Sequence, residues 1–173
     1  MLDLTPACAA LADRVEAVGD HELGLPTPCA GWAVRDLLAH LDLVAGGDGR
    51  PVEDRTDLAV RLRTVPAAWA DPAAWEGASG DPELPNATWG RIALTEAVVH
   101  GWDLAVARGE AFELPDETLR ACLEHVEEFV PAAPLSELWG RGPQPVGAAA
   151  GVLDRIVAAT GRRPAEHLWP RST

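Results

Sequence analysis

The amino-acid sequence predicts an all-α protein with a helix-bundle core, and three observations carry that expectation. Apolar residues recur at intervals of three and four along most of the chain, the spacing that lines one face of a helix. Alternating apolar and polar runs, the mark of half-buried strands, are too few for a sheet of any size. One stretch, 93–107, is apolar on nearly every side, as befits a central helix that the others surround.

Taken in order, Leu4, Cys8, Leu11, Val15 and Val18 predict a first helix over about 5–18, opened by Thr5-Pro6 and stopped at Gly19. Two prolines and Gly31 make 25–32 an ordered connection. A second helix is expected over about 33–45, burying Val34, Leu37, Leu38, Leu41 and Val44, with Asp36 favourably placed in its first turn. Gly46-Gly47-Asp48-Gly49 ends it. A third is expected over about 54–69 through Leu58, Leu62, Val65 and Trp69, kinked or divided by Pro66. Residues 71–89 are rich in Pro, Gly and Asp and read as loop with one or two short extended pieces. The central helix fills about 88–107, closed by Arg108-Gly109. A fifth spans about 115–129, burying Leu119, Cys122, Leu123, Val126 and Val130, with Pro131 and Pro134 after it. His125 sits among Glu124, Glu127 and Glu128 and reads as a solvated residue of an acidic face. A last helix over about 148–160 buries Val152, Leu153, Ile156 and Val157, and Arg162 and Arg163 complement its C-terminus.

The 173 residues suit one domain, 1–173, able to bury about two-thirds of its unfolded surface. All 14 basic residues are arginine, and the net charge is -13. Such a surface repels phosphate backbones and anionic membranes, which argues against a nucleic-acid or membrane partner. Three cysteines, without CxxC spacing, fit a reduced, cytoplasmic chain better than a disulfide scaffold. No basic, then apolar, leader opens the chain, and no apolar run reaches the ~18 residues of a membrane span.

The central helix carries Glu96, His100 and Asp103 at i, i+4 and i+7, which stacks three ionisable groups on one face. A buried carboxylate needs a cation, a donor or a metal. The spacing of Glu96 and His100 suits either a divalent ion gripped by both or a buried Glu–His hydrogen bond without metal. His40, at the flank of the second helix's apolar stripe, reads by itself as a half-buried polar residue. Cys29 is a candidate extra ligand or redox-sensitive thiol, against packing under Trp32.

Two segments together, PTPCAGWAVRDLLAHL over 26–41 and EAVVHGWDLA over 96–105, resemble an actinobacterial branch of the DinB-like superfamily. The chain is similar to the metal-binding domain of mycothiol-dependent maleylpyruvate isomerase. The tail, through Leu153-Asp154-Arg155-Ile156 and Gly161-Arg162-Arg163-Pro164, is similar to the single-domain members of that group. The resemblance implies a four-helix DinB-like bundle with added C-terminal helices and one divalent metal, zinc in the isomerase group, with nickel an alternative. Its ligands would fall on His40, Glu96 and His100, and Asp103 could hold one imidazole in the ligating tautomer. The chain departs from the isomerase in ending soon after the bundle, without the second domain, so isomerisation of maleylpyruvate itself is not the expectation.

Two histidines and a carboxylate leave one coordination position open, as catalytic zinc does. The leading expectation is a mycothiol-dependent S-transferase or isomerase in which the metal activates a low-molecular-weight thiol toward a small-molecule electrophile. Trp32 and Trp102 are candidate pocket walls. Two other functions use the same residues: a non-catalytic, metal-stabilised binding or regulatory bundle, as a homodimer for instance, and a metal-dependent hydrolase.

Overall fold

The computed structural model describes residues 2–132 and 142–164, and among them the chain is helical with one minimal hairpin. The helices are α1 (Thr5–Glu16), α2 (Val34–Val44), α3 (Arg55–Ala68), α4 (Asn86–Arg108), α5 (Asp116–Phe129) and α6 (Val152–Ala159). The all-α class and the DinB-like bundle with added C-terminal helices are as the sequence predicts. Pro134, which the sequence places after the fifth helix, lies outside the described residues.

Local chemistry sets the helix ends. Asp36 reaches back to accept from the Ala33 N–H at 2.8 Å, and Asp54 accepts from the Asp57 N–H at 3.0 Å, so two otherwise orphaned helix N-termini are satisfied. Gly109, at φ 73, takes the left-handed conformation that closes α4. Pro66 does not divide α3: the helix runs unbroken through it and stops at Ala68. The missing N–H falls so near the end that the last bonds simply shorten to Trp69 N–H onto Pro66 O and Ala70 N–H onto Ala67 O. Residues 71–85 form a 3₁₀ turn (Pro72–Trp75) and two two-residue strands, β1 (Ala78–Ser79) and β2 (Leu84–Pro85), paired antiparallel.

Packing places α4 at the centre. It lies against α1, α2 and α5, while α1 also packs on α3, and α5 on α6. From Leu94 to Ala105 every residue of α4 is buried. Leu11, Val15, Leu37, Leu38, Leu41, Leu58, Leu62, Leu94, Val98, Leu104 and Ile156 belong to one apolar cluster, and each such side chain contributes about 1.5–3 kcal/mol by leaving water. Gly101 belongs to this packing: a Cβ there would sit 2.7 Å from the Phe112 ring, closer than atoms approach. No helix among the described residues is long and apolar enough to cross a membrane.

His125 is a correction to the sequence reading. It is buried, 3% exposed, with its ring stacked on Phe129 at 4.9 Å, and its Nε2 has no hydrogen-bond partner among the described residues. Glu124, Glu127 and Glu128 are exposed, while the imidazole is buried. Burial, aided by the charge of Arg91, lowers its pKa to about 4, so the folded chain keeps it neutral. Because the unfolded chain takes up that proton near pH 6.5, this residue's penalty is absent above 6.5 and grows as pH falls toward 4. His125→Leu is expected to remove that loss, about 3 kcal/mol at its limit. Urea unfolding of both proteins between about pH 7 and about pH 4.5 measures it, and parallel stability profiles would show that His125 ionises freely in the fold.

Candidate metal centre

The segment before α2 is a built turn. Gly31, at φ 82, bends the chain, the Thr27 N–H and hydroxyl both donate to Trp32 O at 2.9 Å, and Trp32 N–H donates to Cys29 O at 3.0 Å. These bonds seat the Trp32 indole over the site, with its ring centroid 5.1 Å from that of His40 and 6.3 Å from that of His100. From α2, the apolar row Leu37, Leu38 and Leu41 points into the core, which leaves His40 at the α2–α4 seam.

There His40 meets the central helix. One carboxylate oxygen, Glu96 Oε2, lies 2.8 Å from His40 Nε2 and 3.0 Å from His100 Nε2. The two imidazoles stand edge to face, centroids 4.8 Å apart. The candidate ligand atoms of His40, Glu96 and His100 all fall within 4.8 Å of one another. Glu96 and His100 are buried, whereas the His40 side chain is 24% exposed and marks the side open to solvent.

Behind His100 the chain of contacts continues into the core. Its Nδ1 lies 3.0 Å from Asp103 Oδ2, and Asp103, 0% exposed, accepts from Arg162 Nη2 at 2.7 Å and Nε at 3.1 Å. Burial alone would raise the Asp103 pKa, but the Arg162 charge and the hydrogen bonds from His100 and Arg162 hold it below the usual carboxylate range. An ionised Asp103 accepts only, so His100 Nδ1 must be the donor, and the Nε2 lone pair of a neutral His100 is aimed at Glu96. Two acceptors 3.0 Å apart repel unless positive charge lies between them. In the chain alone that charge is a proton: although burial works against it, Glu96 and then Asp103 raise the His100 pKa to about 9. Burial likewise works against the Glu96 charge, and His100 with His40 outweighs it and holds the carboxyl far below its ordinary range. A divalent cation answers the same demand, so this donor set fits the ion that the sequence resemblance implies.

The structure brings His40, Glu96, His100, Asp103 and Trp32 together. Trp102, next along α4, is 5% exposed and belongs to the apolar core cluster. The Cys29 thiol feels the charges of Arg162, Asp103 and Glu96, but burial is the larger influence and raises its pKa, the opposite of what a reactive thiolate needs. Arg162 is a site residue whose second role the sequence reading missed. It is buried and complements the C-terminus of α6 as expected, its Nη1 donating to the C-cap carbonyl Thr160 O at 2.7 Å, but the same guanidinium also clamps Asp103. A signal was available: Asp103 lies on a wholly buried stretch of helix with no arginine one turn away, so its permanent cation had to come from a distant segment.

Fold and site together define a DinB-like helical bundle with a His–Glu–His cluster, open to solvent only at His40, at its α2–α4 seam. The model of the mycothiol maleylpyruvate isomerase N-terminal domain matches residues 4–50, which span α1, the built turn and α2 with His40. Two Mycobacterium tuberculosis proteins, uncharacterized protein MT0763 of strain CDC 1551 / Oshkosh and uncharacterized protein Rv0738 of strain H37Rv, are each 32% identical over 178 aligned positions, covering 94% of this chain and 88% of theirs. The chain belongs to the same family as these two proteins. No solved structure gives a significant match.

Replacing Arg162 by Leu should cost about 3–5 kcal/mol of stability, because it strands the Asp103 charge in the core. With Asp103→Asn already present, the same Arg162→Leu change should cost much less, since the charges interact chiefly with each other. Urea unfolding of the four proteins of this cycle is the measurement, and additive losses would mean that Arg162 does not serve Asp103.

Proposed function

We propose that this protein is a thiol-dependent S-transferase or isomerase, with His40, Glu96 and His100 holding one divalent ion, zinc by preference, and mycothiol as the thiol. The observation that carries the reading is the facing of two imidazole Nε2 atoms on one Glu96 oxygen, with the His100 tautomer fixed from behind by Asp103. Three protein ligands leave a position for a guest, as in catalytic rather than purely structural zinc sites. Bound there, a divalent ion would lower the pKa of a thiol and present it as the thiolate.

The chain's own groups do the rest. Asp103, clamped by Arg162, keeps the His100 lone pair directed at the site, and Glu96 supplies the negative charge that retains a cation. Trp32 covers the rings on one side, so a guest must enter beside the partly exposed His40. No nucleophile from the protein is required: the Cys29 thiol stays protonated, and the small thiol supplies the attacking sulfur. In a transfer, the thiol gives up its proton, a sulfur–carbon bond forms, and the leaving group departs with the electron pair. In an isomerisation the sulfur adds and is later expelled unchanged. The domain match over residues 4–50 supports the thiol, since mycothiol stands in the name of that domain.

Protein purified without chelator or a metal-affinity tag is expected to carry close to one zinc per chain by elemental analysis, and His40→Ala and His100→Ala are expected to carry far less. Metal-loaded wild type should conjugate mycothiol to an electrophile, with most of that rate lost in His100→Ala. Equal rates in the two proteins would remove the ion from the chemistry.

A further inference from the structure

The two imidazoles of the cluster are held in different ways. His100 is fixed from behind, its Nδ1 lying 3.0 Å from Asp103, which Arg162 clamps in turn. His40 lacks that support. Its Nε2 meets Glu96 at 2.8 Å, but its Nδ1 has no hydrogen-bond partner among the described residues, and its side chain is 24% exposed. Histidines that hold a metal almost always donate the other ring N–H to a carboxylate, a carbonyl or a water, and that bond orients the ring. Exposed side chains otherwise turn between rotamers unless packing stops them.

What packs on His40 is aromatic. The Trp32 indole lies with its centroid 5.1 Å away, tilted by 52°, and the His100 ring stands edge-on at 4.8 Å and 72°. Both distances fall in the range that aromatic pairs favour. The third side of this triangle, Trp32 to His100, is 6.3 Å. His40 thus occupies the corner between a ring that Asp103 fixes and an indole that the turn before α2 carries. That turn is closed by hydrogen bonds: Trp32 O accepts from the N–H and the hydroxyl of Thr27, both at 2.9 Å, and Pro26 bridges Ala33.

We infer that Trp32 is the positioning residue of His40: its indole, seated by Thr27, orients this imidazole as Asp103 orients His100, and keeps Nε2 directed at the Glu96 oxygen where the divalent ion would be shared. The inference rests on the metal site of the proposed function and not on the thiol. Cobalt(II) is the probe, because its visible absorption reports the number and geometry of its ligands. It is added to the full chain freed of other metals, in competition with a chelator. Trp32→Leu should weaken cobalt binding by about tenfold or more and alter the visible bands. Trp32→Phe, which keeps a ring, should restore most of the affinity and the spectrum. Thr27→Val matches the threonine in shape but removes the hydroxyl bond to Trp32 O, and should weaken binding by about threefold. In a His40→Ala background, Trp32→Leu should change the affinity by less than about twofold, since the ring it orients is gone.

Wild-type affinity and bands in a folded Trp32→Leu protein would overturn the inference and leave the metal site standing. So would a loss that Trp32→Phe does not restore, or one that persists in full without His40. Should circular dichroism show Trp32→Leu unfolded, Thr27→Val decides, and wild-type affinity there overturns the inference. A wild-type chain that binds no cobalt would remove the metal site and this role together. If cobalt behaves as expected and no mycothiol is conjugated, Trp32 keeps its role and the thiol-transfer reading falls.

Discussion

A line of alternating charge buried along α4 is the constraint on which the rest of the structure depends. Arg162, Asp103, His100 and Glu96 follow one another at hydrogen-bond distance, plus against minus, from the core to the α2–α4 seam, where His40 meets Glu96. Any member left alone in that interior would face a penalty of several kcal/mol. The segment after α6 must therefore dock with Arg162 inward, α2 must present His40 at one register, and α4 must keep its polar face turned to both. The surrounding leucines supply the stability; the charges select the arrangement in which it is collected.

The same constraint explains how an acidic protein comes to hold a site suited to a cation. The carboxylate at its centre is kept ionised by imidazoles, and the way out of the cluster is past a partly exposed His40 under Trp32. Along α4 in the other direction the face turns apolar, through Ala93, Ile92 and Trp89, and the neighbouring arginine is neutralised by two aspartates. A carboxylate suited to a cation and this apolar face thus meet at Glu96, one helix turn from His100.

Much of this was legible in one dimension. The six described helices stand within a few residues of where their apolar periodicity puts them, because a stripe at three and four has one way of leaving water. The i, i+4 spacing of Glu96 and His100 states their adjacency directly, since an α-helix fixes it. His40 is a different matter: its own helix says only that it flanks an apolar stripe, and its meeting with Glu96 comes from the way α2 packs on α4. The resemblance to a known group named it; periodicity did not. His125 misled because Glu124 and Glu127 lie on other faces of α5, while Glu128, one turn on, stays exposed as the imidazole stacks on Phe129 and is buried.

What the sequence determined by itself was everything governed by short-range rules: the class, the helices, their ends at Asp36, Asp54 and Gly109, and the one-turn pair on the central helix. Backbone geometry and the aversion of apolar side chains to water act within a few residues, so they can be read there. Only the tertiary structure decided which distant charges answer one another. Arg162 reaches Asp103 across 59 positions and His40 reaches Glu96 across 56, and nothing local distinguishes either from the chain's other arginines and histidines. Electrostatic pairing in a buried seam depends on which surfaces come together, and that is settled by packing the whole chain at once.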